Sequence, residues 1–210
     1  MTEWWTYRPS DFLMFSPRVY ARLIERVNES AWPLQWIGMA AALALLVLLL
    51  RRDGWAPRVA LLVLAFAWGS VALVFHARHF STINTAAPAF AWAFGLQAVV
   101  FLVLAKWPPG LAWVPLHGLR RAAAVLLAAA ALAYPVVAPL LGRPWTQAET
   151  FGLLPDPTAL ATLAVLLRLR LPAPGRWASA SIALLAWAVP LLWCVVALLL
   201  QWTWHLAGGG

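Results

Sequence analysis

Long apolar runs alternate with short polar clusters along the chain. Trp32–Leu50, Ala56–Phe75, Ala86–Ala105 and Ala122–Leu141 are apolar almost throughout. Each has roughly the 20 residues a helix needs to cross about 30 Å of hydrocarbon. A further run, Trp177–Trp202, is long and holds Pro190 near its middle, and another, Pro157–Leu171, is short and ends in Arg168 and Arg170. The pattern predicts an all-α polytopic membrane bundle of six transmembrane helices over residues 31–205, with a segment 1–30 before it and a flexible tail 206–210 after it. A proline inside a span is compatible with this, because a neighbouring helix can satisfy the carbonyl it frees.

Ahead of the first run, "SPRVYARLIERVNES" changes period. Ser16 and Pro17 make a helix start. Val19, Tyr20, Leu23, Ile24 and Val27 then fall on one face, and Arg18, Arg22, Glu25, Arg26 and Glu29 on the other. This predicts an amphipathic helix lying in the membrane interface. Trp4, Trp5, Phe12 and Phe15 point to the same depth, because aromatic rings favour the headgroup region.

Composition strengthens the membrane reading. The chain has 210 residues, 64% hydrophobic and 10% charged, against about 25% charged in a soluble domain. The net charge of +8 is distributed between apolar runs, so it indicates topology and lipid contact rather than nucleic acid. Loops one, three and five carry Arg51, Arg52, Arg58, Lys106, Arg120, Arg121, Arg168, Arg170 and Arg176, and six acids lie on the other side. The excess of basic residues predicts those loops in the cytoplasm and both termini outside. No signal-peptide order opens the chain. The single cysteine, Cys194, rules out an internal disulfide and reads as a small hydrophobe within an apolar run.

That topology gathers the candidate chemistry on one face. In "FHARHFSTIN", His76 and His79 are three apart, so in an α-helix they share a face and can hold a metal or pass a proton. Asn84 and Thr85 fit the cap of the next span. In "GRPWTQAETFGLLPDPT", Asp156-Pro157 reads as a helix start with Asp156 as its cap. Only about 15 residues follow, some 22 Å of helix, so "FGLLPDP" is expected to dip into the membrane. Irregular backbone at that depth lines a cavity or is buried in protein, and a carboxylate there is a functional candidate. The candidate substrate or ion ligands are His76, Asn84, Glu149 and Asp156, and the candidate metal ligands are His76 and His79. No cofactor is predicted; haem held by His76 and His205 is the remaining arrangement two histidines allow.

"WTYRPSDFLMFSPRVYARLIERVNESAWPLQ", "FHARHFSTINTAAPAFAWAFGLQAV", "GRPWTQAETFGLLPDPTALATL" and "VPLLWCVVALL" together resemble a family of bacterial integral membrane proteins grouped as a domain of unknown function. The resemblance implies a multi-pass protein of the inner membrane, with an F-G-x-x-P-x-P-T frame at Phe151 to Thr158. It implies no activity. The residues themselves favour transport or permeation of a small solute or ion. A membrane-embedded metal-dependent enzyme and an accessory subunit of a larger complex are the alternatives.

Overall fold

The computed structural model describes residues 15–106, 111–115, 117–170 and 177–208. Trp4, Trp5, Phe12 and Arg176 lie outside the described residues. The described chain is helical apart from turns and one short ribbon. Helix α1 (Pro17–Ser30) starts as its sequence predicts, with the Ser16 hydroxyl accepting from Val19 N–H at 3.4 Å. Its apolar positions Tyr20, Leu23, Ile24 and Val27 are buried against the rest of the chain, while Arg18, Arg22 and Arg26 are exposed. The apolar face expected to meet lipid is therefore covered by the protein itself.

Helix α2 (Leu34–Leu50) follows α1 after a 95° bend. Helix α3 (Ala56–Ser70) runs on as a π-helix over Val71–His79 and a 3₁₀ turn over Phe80–Thr82. Helix α4 (Ala87–Lys106) packs along α3. Helix α5 (Gly118–Ala133) continues through a 3₁₀ turn at Tyr134–Val136 into α6 (Val137–Leu140). Pro135 and Pro139 each remove a backbone donor there, which explains the tightened turn. Helix α7 (Pro155–Arg168) is only 14 residues long, and α8 (Trp177–Gly208) has 32. Strand β1 (Ala112–Trp113) pairs antiparallel with β2 (Leu169–Arg170), tying the α4–α5 connection to the end of α7.

Among the described residues, four helical stretches are long and apolar enough to cross a membrane: Ala56–Thr82, Ala87–Lys106, Gly118–Leu140 and Ser181–Leu206. The bent pair α1–α2 raises the number to five when taken as one span. Four of the six spans expected from sequence thus meet this length among the described residues, and α2 and α7, with 17 and 14 residues, fall short of it. Nor is the tail fully a tail, since helix covers it to Gly208.

Outward-facing positions of the spans are large and apolar: Phe66, Leu73, Trp92, Leu126, Leu184 and Leu198 are all exposed. Apolar surface this extensive is unfavourable in water and suits a chain solvated by lipid. The inside is different. Small residues such as Ala60, Ala67, Ala98, Ala159, Ala161 and Ala164 are buried where helices meet, letting backbones approach closely. Gly38 does the same for α2, because a Cβ there would fall on the carbonyl oxygen of Phe151. Short α7 is the central helix. It packs on α2, α3, α5 and α8, and its Thr162 hydroxyl accepts from the Trp68 indole of α3 at 2.8 Å.

Pro190 does not break α8, which runs as one helix from Trp177 to Gly208. The carbonyl four residues before it, Ala186, accepts instead from the side-chain amide of Gln97 on α4 at 3.2 Å. A buried polar residue of one span thus replaces the donor missing from another.

Candidate functional site

The segment Ala148–Leu154 enters the bundle without regular structure, and all its residues but Gly152 are buried. Its backbone is satisfied locally. Leu153 and Leu154 N–H groups donate to Thr150 O, and Gly152 N–H donates to the Thr158 hydroxyl at 2.9 Å. That hydroxyl in turn donates to Leu154 O at 2.7 Å. Gly152 carries a φ of +77°, which a side chain would oppose. Thr158 is thus the residue that organises the start of α7, where Asp156 was the expected cap. Asp156 instead occupies the first turn of α7, free to point elsewhere.

Both Asp156 oxygens accept a hydrogen bond. Tyr134 donates its hydroxyl to Oδ2 at 2.9 Å, and the Trp193 indole donates to Oδ1 at 2.8 Å. The 3₁₀ turn before α6 presents Tyr134, and α8 presents Trp193 one turn beyond Pro190. Glu149 is close enough for the Asp156 charge to act on it. It is buried, and its Oε2 has no hydrogen-bond partner. Burial, then the charge of Asp156, raises the Glu149 carboxyl well above its usual range, with Arg143 opposing from a distance. Two buried carboxyl groups whose charges act on one another favour a single charge rather than two.

His76 lies on the far side of Trp193. It is fully buried among Phe75, Phe80, Phe90, Phe94 and Trp193, with the Phe94 and Trp193 ring centroids 4.4 and 5.2 Å away. Neither ring nitrogen has a partner. Trp193 therefore joins His76 and Asp156, touching one through its ring and the other through its N–H.

His79 does not join His76. Its Nδ1 is 2.8 Å from Val74 O and its Nε2 3.2 Å from Ser30 Oγ. The three-residue spacing assumed an α-helix; in the π-helix the wider turn carries residues three apart off a common face. Among the described residues no three of His, Cys, Asp and Glu come together as metal ligands. Asn84 is committed to the turn before α4, its Oδ1 accepting from Ala86 N–H at 2.8 Å. His205 is exposed near the end of α8 while His76 is enclosed, so the two do not offer a haem pocket. Of the four candidate ligands, Glu149 and Asp156 share a site, His76 borders it through Trp193, and Asn84 is a turn residue.

A groove of about 740 Å³ opens beside Glu149, bounded by Ala148 and Thr150. Trp32, Trp36 and Trp145 line it, with Glu29 and Gln35. Asn28 pins its wall, donating to the carbonyls of Thr146 and Ala148 at 2.8 Å each. The buried Gln35 Oε1 and Thr150 hydroxyl oxygen have no partner. The lining thus combines aromatic faces, acceptors awaiting donors, and one carboxyl group, that of Glu29. Tyr134, Trp193, Gln35 and Thr158 were not singled out for this site from sequence. A proline-adjacent tyrosine and a tryptophan one turn past Pro190 were the signals that mark two of them.

Residues 18–206 match a family of unknown function (DUF6064), and the chain belongs to that family. No curated protein and no solved structure matches the chain.

Proposed function

We propose that this member of the DUF6064 family is a multi-pass membrane protein that exchanges protons for an organic cation at the Glu149–Asp156 pair. The reading rests on the buried, unpartnered Oε2 of Glu149, which feels the Asp156 charge, and on the tryptophan-lined groove walled by its chain neighbours Ala148 and Thr150. An organic ammonium suits that groove. Its charge is attracted to tryptophan faces and to Glu29 at the wall, and its apolar body replaces lipid against Trp32 and Trp36. Arrival of a cation favours release of the Glu149 proton, and protonation favours release of the cation. His76, enclosed among aromatic rings behind Trp193 with both ring nitrogens unpartnered, lies at the inner limit of the site.

The topology proposed for this activity has six crossings. Helix α2 supplies one, and α7 with its irregular entry supplies another. The basic loops one, three and five face the cytoplasm of a bacterial inner membrane, and the groove opens outside.

Binding is measured by quenching of tryptophan fluorescence in purified protein titrated with benzyltrimethylammonium. Saturable quenching is expected, with affinity weakening as the pH falls and lost in Glu149→Gln. Quenching that is unsaturable, or unaffected by both pH and Glu149→Gln, would refute the reading.

A further inference from the structure

A separate cavity of about 660 Å³ lies at the other end of α2 and α7. Arg52, Arg121 and Arg168 line it, with Trp113 and His117. Its one lining carboxylate, Asp53, lies 3.9 Å from Arg51, and both are exposed. Among the described residues no carboxylate comes within ion-pair distance of Arg52, Arg121 or Arg168.

Arg168 is the unusual member. It is 8% exposed. One of its terminal nitrogens donates to Arg51 O at 2.6 Å, and its guanidinium lies over the Trp113 ring, 5.3 Å from the centroid. Its Nε–H has no acceptor, and neither has the buried indole N–H of Trp113. A buried cation with unsatisfied donors and no counter-ion is unfavourable until an anion arrives. The start of α5 adds to this. The 16-residue helix begins at the cavity with no side-chain cap and no acidic residue in its first turn, so its free N–H groups and dipole favour negative charge. Beyond the arginines, Leu46, Leu49 and Val125 of the two flanking helices form an apolar wall.

We propose that this cavity binds a phosphate group, with Arg168, Arg121 and Arg52 as its counter-charges and the start of α5 as a donor of backbone N–H groups. The two sources of that chemistry are an anionic phospholipid, whose acyl chains would follow the apolar wall, and free phosphate. A basic pocket between membrane helices fits the first. This site is independent of the Glu149–Asp156 pair.

The test uses the full chain, delipidated in detergent, in two arms. One arm titrates inorganic phosphate against chloride at constant ionic strength and reads thermal stability. The other offers mixed micelles of phosphatidylglycerol and phosphatidylcholine, and native mass spectrometry reads the lipid retained. Saturable stabilisation by phosphate identifies the free ion; preferential retention of phosphatidylglycerol identifies the lipid. In whichever arm binds, Arg121→Gln is expected to weaken binding about tenfold, the equivalent of about 1.4 kcal/mol. Arg121 is exposed, so its loss leaves the fold intact even where Arg168→Gln disrupts the Arg51 contact. Arg78→Gln, also exposed but on the π-helix of α3, is expected to leave binding unchanged. Absence of binding in both arms, an unaltered Arg121→Gln, or an equal loss in Arg78→Gln would each overturn the proposal.

Discussion

The indole N–H of Trp193 donates to Asp156 at 2.8 Å across the α7–α8 contact. The same ring packs edge-on against His76, Phe90 and Phe94. Trp193→Phe keeps most of the ring packing and removes the donor. Stability should fall by about 1–3 kcal/mol, the cost of leaving a buried acceptor short of a partner. Reversible unfolding in mixed micelles measures it. A loss confined to a few tenths would mean that the bond contributes little.

Gln97 and Pro190 form a pair across α4 and α8. Gln97→Leu removes the donor to Ala186 O and is expected to cost about 1–3 kcal/mol. Pro190→Ala restores a backbone N–H within hydrogen-bond reach of that carbonyl. The double variant should therefore recover most of the loss, giving a coupling energy well above the roughly 0.5 kcal/mol scatter of independent sites. Strictly additive effects would contradict the substitution of one donor for the other.

Glu149 makes stability depend on pH in a stated direction. Its folded-state carboxyl is raised above the ordinary value of 4.5 by burial and by Asp156. The folded state thus holds a proton that the unfolded chain gives up. Stability is fully present below the ordinary value and declines as the pH rises towards the folded-state value. Glu149→Gln should flatten that decline and raise the melting temperature at pH 8. Differential scanning fluorimetry across pH 4–8 compares the two proteins.

Gly38 holds α2 against the irregular entry to α7. Gly38→Ala forces the Phe151 carbonyl away and should cost about 1–3 kcal/mol as overpacking does. It should also raise amide exchange over Glu149–Leu154, read by hydrogen–deuterium exchange, while Gly54→Ala, with open space around it, leaves exchange there unaltered.

Much of this was legible in the chain. Helical runs, the Ser16–Pro17 start of α1 and the buried irregular stretch before α7 all follow from periodicity and from the need to satisfy backbone groups away from water. Three features were not. The π-helix at Val71–His79 leaves no mark in residue pattern, and it is what separates His76 from His79. Asp156 reads as a cap because aspartate before proline usually is one; α7 has no side-chain cap, and Thr158 in its first turn ties the entry loop through a hydroxyl that both accepts and donates. Pro190 announces a freed carbonyl, but which helix supplies the donor is a matter of packing, and a lone Gln97 in a span identifies it only once α4 and α8 are seen together. The sequence places Glu149 and Asp156 on one face without setting the depth of Glu149, and the donors Tyr134 and Trp193 arrive from distant segments.

Glu149 is proposed to exchange its proton for a cation. Proteoliposomes containing an acidic interior and a trapped pH dye test it directly when benzyltrimethylammonium is added outside. Wild-type protein should alkalinise the interior as the cation enters and the proton leaves, and Glu149→Gln should reduce that rate to the level of empty liposomes. A wild-type rate equal to empty liposomes, or a Glu149→Gln rate equal to wild type, would contradict it.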